Sequence, residues 1–350
     1  MHYAGTMIHS FSLIEKALLA FDVLPHPLLD GMATLMAGRA LHLSVKLGII
    51  DVLEDGPAAA AAIAGRTGLS ERGLVVLLDC LEPLGYVRRD GESYALTERG
   101  QKFLSRASPR NFRAMMLLCD YTFESLNTLE QTLRAGGPSQ SNLERFSPAQ
   151  WEFFNQAMVE LARTNKEEIA SLIDVPASAT RLVDLGGGHG LYTIELCQRH
   201  PRLSGEIFDF APVRDLLDKH VAEAGMGERV RLRDGDFMKE PLGTGYDVAL
   251  AFNIIHGFRP HENRDFFTRV SQALNPGGVF VVLDQIRGMS GKTPLAKLTA
   301  ASLGLNLFHQ AGGQSYPLEE VEQWSQAAGF RSIQLKRTRT PGFALILCRK

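Results

Sequence analysis

The sequence predicts an α/β protein in two parts. A mainly α N-terminal domain of winged-helix type leads into a mostly parallel sheet with an antiparallel closing strand. Three observations predict it. Capped helical stretches followed by one short hairpin fill the first hundred or so residues. From Arg181 onward short apolar runs alternate with helical segments, the pattern of a parallel sheet covered on both faces. The first strand-to-helix turn of that alternation carries a glycine cluster, in "LVDLGGGHGLYTIEL" over residues 182–196. A length of 350 residues supports two domains.

The helical part reads in order. "RALHLSVKLGIIDVLEDGP" carries apolar residues at helical spacing as far as Gly56-Pro57. "AAAAAIAGRTG" is a short alanine-rich helix closed by Gly68, and Ser70 caps "ERGLVVLLDCLEPLG". "YVRRDGESYALT" is a hairpin with Asp90-Gly91 at its turn, and Thr97 with Glu98 starts another helix. This order is that of a winged helix-turn-helix, a DNA-binding or a dimerisation module. Between Ser70 and Pro83 the second helix offers one cation, Arg72, against Glu71, Asp79 and Glu82. Its middle, "LVVLLDCL", is apolar almost all round and is expected to be buried. A reading helix needs polar and cationic side chains facing the groove, so no nucleic-acid partner is expected. The apolar faces of residues 10–50 and of this module exceed what one small domain hides, so a homodimer is expected.

Helix-rich sequence continues to about residue 174, broken at "RAGGPSQS". Then "RLVDLG", "GEIFDF", "RVRLRDGD", "YDVALAF" and "GVFVVLD" read as strands of a Rossmann-like sheet. "IQLKRT" and "GFALILCRK" form a closing antiparallel pair around Pro341-Gly342.

Composition limits the function. Lys plus Arg total 37 against 39 Asp plus Glu, a net charge of −2, which offers no global attraction to nucleic acid or anionic membrane. Hydrophobic residues make up 45% of the chain, enough for a sizeable core, yet no run of 18 apolar residues suggests a membrane span. Cys80, Cys119, Cys197 and Cys348 are scattered without a C-x-x-C pair, as in a reduced cytoplasmic protein with neither a disulfide frame nor a metal site.

The glycine cluster could serve a dinucleotide, a nucleotide phosphate or a nucleoside. A dinucleotide fingerprint wants G-x-G-x-x-G, and the third position here is Leu191. No G-K-[ST] follows, which argues against a P-loop. What stands is Gly186, Gly188 and Gly190 in G-x-G-x-G spacing, preceded by Asp184. Asp209, at the next strand end, suits the two hydroxyls of a ribose. Asp236 with Phe237 at the third suits an adenine amine and ring face. Acids at three successive strand ends matter because open α/β sheets bind ligands there. His189 reads as a solvent-facing spacer in the loop, and His261 as part of a solvated helix.

"VDLGGGHG", "FDFAPV", "GERVRLRDGDFM", "NIIHGF", "LNPGGVFVVLD" and "AAGF" fall in an order that resembles class I S-adenosylmethionine-dependent methyltransferases. More narrowly, residues 35–350 resemble the small-molecule O-methyltransferases of the caffeate, acetylserotonin and antibiotic-tailoring type. The resemblance implies a dimerisation domain over 1–110, linking helices lining the acceptor pocket over 111–174, and a catalytic domain over 175–350. It implies S-adenosylmethionine held by Asp184, Gly186, Gly188, Gly190, Asp209, Phe210, Asp236 and Phe237. It places Met158, in "FFNQAMVELART", and Asn306, in "LGLNLF", in the acceptor pocket. His256 takes the family's general-base position and Asp284 that of an acid after the fifth strand, able to orient the ring. The implied function is methyl transfer to a small aromatic, phenolic metabolite. The chain departs from the pattern in having Gly257 and Phe258 where the family has Asp and Trp, and Ser315 where it has a glutamate. N- or C-methylation, or a non-methylating reaction on the same fold, therefore stay open beside O-methylation. A winged-helix regulator sensing a nucleoside is the reading from another class.

Overall fold

The computed structural model describes residues 21, 23, 26–141, 145–340 and 342–350. The chain divides into two compact units, one ending at Leu126 and one running from Asn127 to Lys350. It is the expected mixed α/β architecture, a helical unit and a mostly parallel sheet with antiparallel strands at one side.

In the first unit a π-helical turn over Leu28–Ala33 enters α1 (Thr34–Lys46) and α2 (Ile49–Glu54). The single helix expected through this stretch is two. Gly48, at φ 72°, turns the chain left-handed between them while leaving the apolar periodicity undisturbed. A two-residue strand β1 (Ala58–Ala59) precedes α3 (Ala60–Thr67), which ends on left-handed Gly68. In α4 (Glu71–Leu81) the Ser70 hydroxyl accepts the Gly73 N–H at 3.2 Å. The hairpin β2 (Val87–Asp90) and β3 (Ser93–Leu96) turns through Gly91. Thr97 caps α5 (Glu98–Leu104), and α6 (Arg113–Ser125) completes the unit. Ile49, Ile50, Ile63, Leu74, Leu78 and Leu81 form its core.

The all-round burial expected for α4 is not found. Leu74, Leu78 and Leu81 are buried, but Val76 on the same helix is 66% exposed. Leu28, Met32, Leu35 and Met36 are also exposed, at spacings that share one helix face. The segment of the expected apolar stretch before Phe21 lies outside the described residues.

The second unit begins with α7 (Leu129–Ala135) and the long α8 (Pro148–Leu172). A capping box starts α8: the Ser147 hydroxyl and the Gln150 side chain satisfy each other's backbone N–H. The sheet follows as β4 (Arg181–Leu185), α9 (Leu191–Arg199), β5 (Ser204–Asp209), α10 (Arg214–Glu223), β6 (Val230–Asp234), β7 (Tyr246–Phe252), α11 (Pro260–Ala273) and β8 (Leu274–Arg287). After α12 (Pro294–Ala311), the bridge β9 (Tyr316–Pro317) and α13 (Leu318–Ala327), the chain closes on β10 (Ser332–Arg337) and β11 (Phe343–Arg349).

Strand order is β10-β11-β8-β7-β4-β5-β6, parallel from β8 to β6 and antiparallel for β10 and β11, with β9 paired to the end of β8. Apolar clusters pack on both faces, which is why the central strands read as unbroken apolar runs. Strand β8 is the spine: Leu283 pairs with Phe252 on one side and Asp284 with Ala344 on the other, so Asp284 is fully buried.

Candidate active site

The carboxyl ends of β4, β5, β6 and β7 lie along one edge of the sheet, and each is followed by residues the sequence singled out. The register sets Leu185 beside Phe208 and Asp209 beside Asp234, so the loops after β4 and β5 start level with each other. The Gly186 N–H extends the ladder by donating to the Phe208 carbonyl at 2.9 Å.

Two of the glycines are required by close approach. A Cβ on Gly186, at φ 72°, would come within 2.3 Å of Ile254 Cδ1 and 3.5 Å of the Phe237 ring. One on Gly190, at φ 73°, would meet Leu217 Cδ1 at 2.3 Å. The Gly188 N–H donates to Asp209 Oδ2 at 2.8 Å, and the Phe210 N–H to Asp209 Oδ1 at 2.7 Å. Asp209 thus ties the glycine loop to the end of β5. Burial pushes its carboxyl up to about 6, the two backbone N–H bonds opposing the shift and the Asp234 charge adding to it.

Asp184 lies beneath the loop, 1% exposed, with Oδ2 accepting the Thr193 hydroxyl at 2.7 Å. A Cβ on Gly187 would come within 2.5 Å of its carboxyl group. Its Oδ1 is buried without a hydrogen-bond partner among the described residues. Burial raises this carboxyl to about 7, against the Thr193 hydrogen bond and with help from the Asp209 charge. A cradle of small residues, an orphaned buried acceptor and a second carboxylate at the next strand end fit a nucleoside ligand carrying hydrogen-bond donors.

The remaining nucleoside candidates are placed differently. Phe237 is buried, edge-on to Phe208 and Phe258, and walls the glycine loop beside Ile254. Asp236 is not at the strand end: β6 stops at Asp234, and Asp236 shapes the turn beyond it. Its carboxylate accepts the Met238 N–H at 2.9 Å and pairs with Lys239 at 2.9 Å. Phe210 is 45% exposed.

His189 is not a solvent-facing spacer but is 7% exposed. Its Nδ1 accepts the Leu191 N–H at 3.1 Å, and its carbonyl accepts from His220 Nδ1 at 2.8 Å. Burial, with the neighbouring His220 and Arg163, depresses the imidazole to about 3, so it stays neutral. Position in a glycine loop carried no sign of this burial, nor of the His220 ring on α10 that binds the His189 carbonyl.

Beyond β7 a 3-10 turn, Ile255–Gly257, presents His256. His256 Nδ1 lies 2.7 Å from Asp284 Oδ1, and its backbone N–H donates to Asp284 Oδ2 at 3.3 Å. Asp284 also accepts the Gln285 N–H at 2.7 Å. A carboxylate can only accept, so Nδ1 is the protonated nitrogen and Nε2 is left free to take a proton. The His256 side chain is 19% exposed and its partner fully buried, an arrangement that fixes the ring yet leaves it reachable.

Several supporting residues have no counterpart among the sequence-level candidates. The His256 carbonyl accepts the Gln314 N–H at 2.9 Å, and a Cβ on Gly313 would fall 1.7 Å from that carbonyl, so only glycine fits there. Ser315 donates to Gln285 Oε1 at 2.6 Å, and Gln285 Nε2 to the Ala300 carbonyl at 3.1 Å. Asn263 Nδ2 donates to the Ile255 carbonyl at 2.9 Å. The signal in the sequence was the glycine pair in "GGQSYP". Of the acceptor-pocket candidates, Met158 is half-buried on α8. Asn306, on α12, has an Oδ1 that is buried without a partner among the described residues. Among the described residues no group of three or more His, Cys, Asp and Glu side chains could hold a metal ion, and no helix is long and apolar enough to cross a membrane.

Residues 124–331 match the model of an O-methyltransferase domain, and residues 29–106 that of an O-methyltransferase dimerisation domain. The chain is 27% identical to 3-hydroxy-5-methyl-1-naphthoate 3-O-methyltransferase of Streptomyces sahachiroi, over 90% of this chain and 92% of the relative. It is 26% identical to the N,N-dimethyltransferase OxyT of Streptomyces rimosus, over 85% and 88% respectively. Human N-acetylserotonin methyltransferase in complex with SAM shares the fold, with a TM-score of 0.79 and 24% identity over 97% of this chain and 99% of that one.

Proposed function

The chain belongs to the O-methyltransferase family, and on that premise we propose that it methylates a phenolic hydroxyl of a small aromatic metabolite, with His256 as general base. It is an S-adenosylmethionine-dependent methyltransferase. When bound, that group supplies a sulfonium-activated methyl for in-line displacement, so what the protein must provide is alignment and proton removal. The observation that carries the reading is the 2.7 Å contact of His256 Nδ1 with buried Asp284, beside the glycine cradle.

Asp209 would accept from the ribose hydroxyls, and Asp184 Oδ1 from another donor of the cofactor. Phe237 and Ile254 would give the nucleoside apolar walls. A phenol with a pKa near 10 is a poor nucleophile until deprotonated. His256 takes that proton on Nε2, and Asp284 stabilises the resulting imidazolium through Nδ1–H, as carboxylates do in other histidine-based sites. We assign Met158 and Asn306 to the acceptor wall, Asn306 offering an unsatisfied carbonyl oxygen to a donor on the acceptor. The match to a dimerisation domain and the exposed apolar face of Leu28, Met32, Leu35 and Met36 support assembly as a homodimer through the N-terminal unit.

The test is a screen of phenols, naphthols and aromatic amines with labelled donor, and product mapping by NMR. O-methylation that depends on His256 is expected. Transfer to an amine would favour the second reading, which rests on the similarity to an N,N-dimethyltransferase. Calorimetry showing no binding of S-adenosylhomocysteine would refute both.

A further inference from the structure

We propose that Asn253 is a positioning residue whose left-handed backbone sets the cofactor cradle and the base in one step. It is the one residue other than glycine with a positive φ, 58°, among the described residues. It directly succeeds the last residue of β7, where the chain leaves the sheet between Phe252 and Ile254. The Asn253 N–H donates to the Leu283 carbonyl at 2.8 Å, closing the β7–β8 ladder one residue short of Asp284.

The residues after Asn253 serve two sites. Ile254 lies over Gly186 so closely that a Cβ there would come within 2.3 Å of its Cδ1. Two residues on, His256 meets Asp284 at 2.7 Å. The segment is held beyond the turn as well, by Asn263 on the Ile255 carbonyl and by the Gln314 N–H on the His256 carbonyl. With both ends fixed, a residue that resists the left-handed region has to displace Ile254, His256 or both. Most L-residues resist it through the clash of Cβ with the following carbonyl. Glycine does not, and asparagine does so least among the rest. Strain of this kind at a site persists only where the surroundings over-determine it, as they do here.

The base arm of this proposal rests on His256 acting as proposed, whereas the cradle arm does not. The experiment therefore measures S-adenosylhomocysteine affinity by calorimetry and, separately, kcat per binding-competent site across pH, for Asn253→Gly, Asn253→Ala and Asn253→Val in the full chain. Asn253→Gly should stay within about threefold of the unmodified protein in both readouts, because glycine adopts the same backbone. Asn253→Ala should lose roughly 5–30-fold, the span of the left-handed penalty, shared between affinity and kcat. Asn253→Val should lose more in both affinity and kcat, as Ile254 and the His256 ring are displaced. If Asn253→Val does not fold, Asn253→Ala decides. Wild-type affinity and kcat in Asn253→Ala would overturn the proposal, as would an equal loss in Asn253→Gly, which would assign the effect to the amide group. Unchanged turnover in His256→Ala together with weakened affinity in Asn253→Ala would sink the base reading and leave the cradle role standing.

Discussion

Replacing Asp209 separates ligand binding from folding, because its carboxylate is held in place at an energetic cost. Its two oxygens accept the Gly188 and Phe210 N–H groups at 2.8 and 2.7 Å, and burial raises its carboxyl from an ordinary 3.8 to about 6. A raised acid pKa means that folding disfavours the charged form. The contribution to stability is fully present below about pH 4 and is lost as pH rises through about 6. Removing the carboxylate at neutral pH relieves that penalty but frees the Gly188 and Phe210 N–H groups. Because the two effects oppose each other, the melting temperature of the ligand-free protein should change little. Ligand binding behaves oppositely. Hydrogen bonds to a charged group are worth about 1.5–3 kcal/mol each, and the proposed ribose contact would use two, while the freed loop amides lose their anchor. Allowing for water that replaces part of this, Asp209→Ala should weaken S-adenosylhomocysteine binding roughly 10²–10³-fold, or about 3–4 kcal/mol. Asp209→Asn keeps one acceptor oxygen and should fall between. Calorimetry alongside a thermal melt is the assay. Affinity within threefold of the unmodified protein, in a folded Asp209→Ala, would refute the assignment of Asp209 to the nucleoside.

The same geometry sets further outcomes. Since hydroxyl donors prefer an ionised carboxylate, S-adenosylhomocysteine affinity should rise between about pH 5 and 7, with proton release visible in calorimetry across buffers of different ionisation heat. His256→Ala should leave that affinity nearly unchanged and lower turnover by roughly 10²–10⁴-fold, about 3–5 kcal/mol, the loss shrinking at high pH for a phenol; unchanged turnover across pH would make the histidine structural. Asp284→Asn should cause a smaller drop, since it holds the ring without touching the acceptor; a drop larger than that of His256→Ala would contradict this order. Gly190→Ala should lower stability by about 1–3 kcal/mol in a chemical melt, because its Cβ would overlap Leu217 and Ile207. Leu35→Glu with Met36→Glu should convert a dimer to monomer or aggregate by light scattering, and an unchanged dimer would move the interface elsewhere.

The fold was legible wherever a local pattern decides structure. Ser70 and Thr97 announced their helices because a cap needs only the next turn, and the strand-helix alternation after Arg181 announced a parallel sheet. Where the deciding atom comes from elsewhere, the pattern misled. Gly48 sits inside an unbroken apolar periodicity, yet the helix ends there because the chain turns left-handed at that glycine. Val76 looked like core and is exposed, because α4 turns only its Leu74, Leu78 and Leu81 face into the core. His189 is buried, and its carbonyl accepts from His220, thirty-one residues away, a partner of which the loop's own sequence carries no trace.

The candidate site divides along the same line. Its glycines, Asp184 and Asp209 lie at strand ends, where sequence order already maps to position, and the register does the rest. What converts them into a cradle and an oriented imidazole is set across the sheet: Ile254 over Gly186, Gly313 beneath the His256 carbonyl, Ser315 on Gln285. Ser315 is instructive, because it stands where the family has a glutamate. In the structure its hydroxyl binds Gln285, the neighbour of Asp284, and the backbone of the same segment clamps His256. Orientation of the ring thus falls to one buried carboxylate and a clamped backbone, with Asp284 paired to Ala344 of β11 on one side and next to Leu283, where the β7–β8 ladder ends, on the other. A carboxylate so placed cannot move to follow a misplaced ring. The fidelity of the pair therefore depends on how the chain turns between Phe252 and His256, and that turn is made at Asn253.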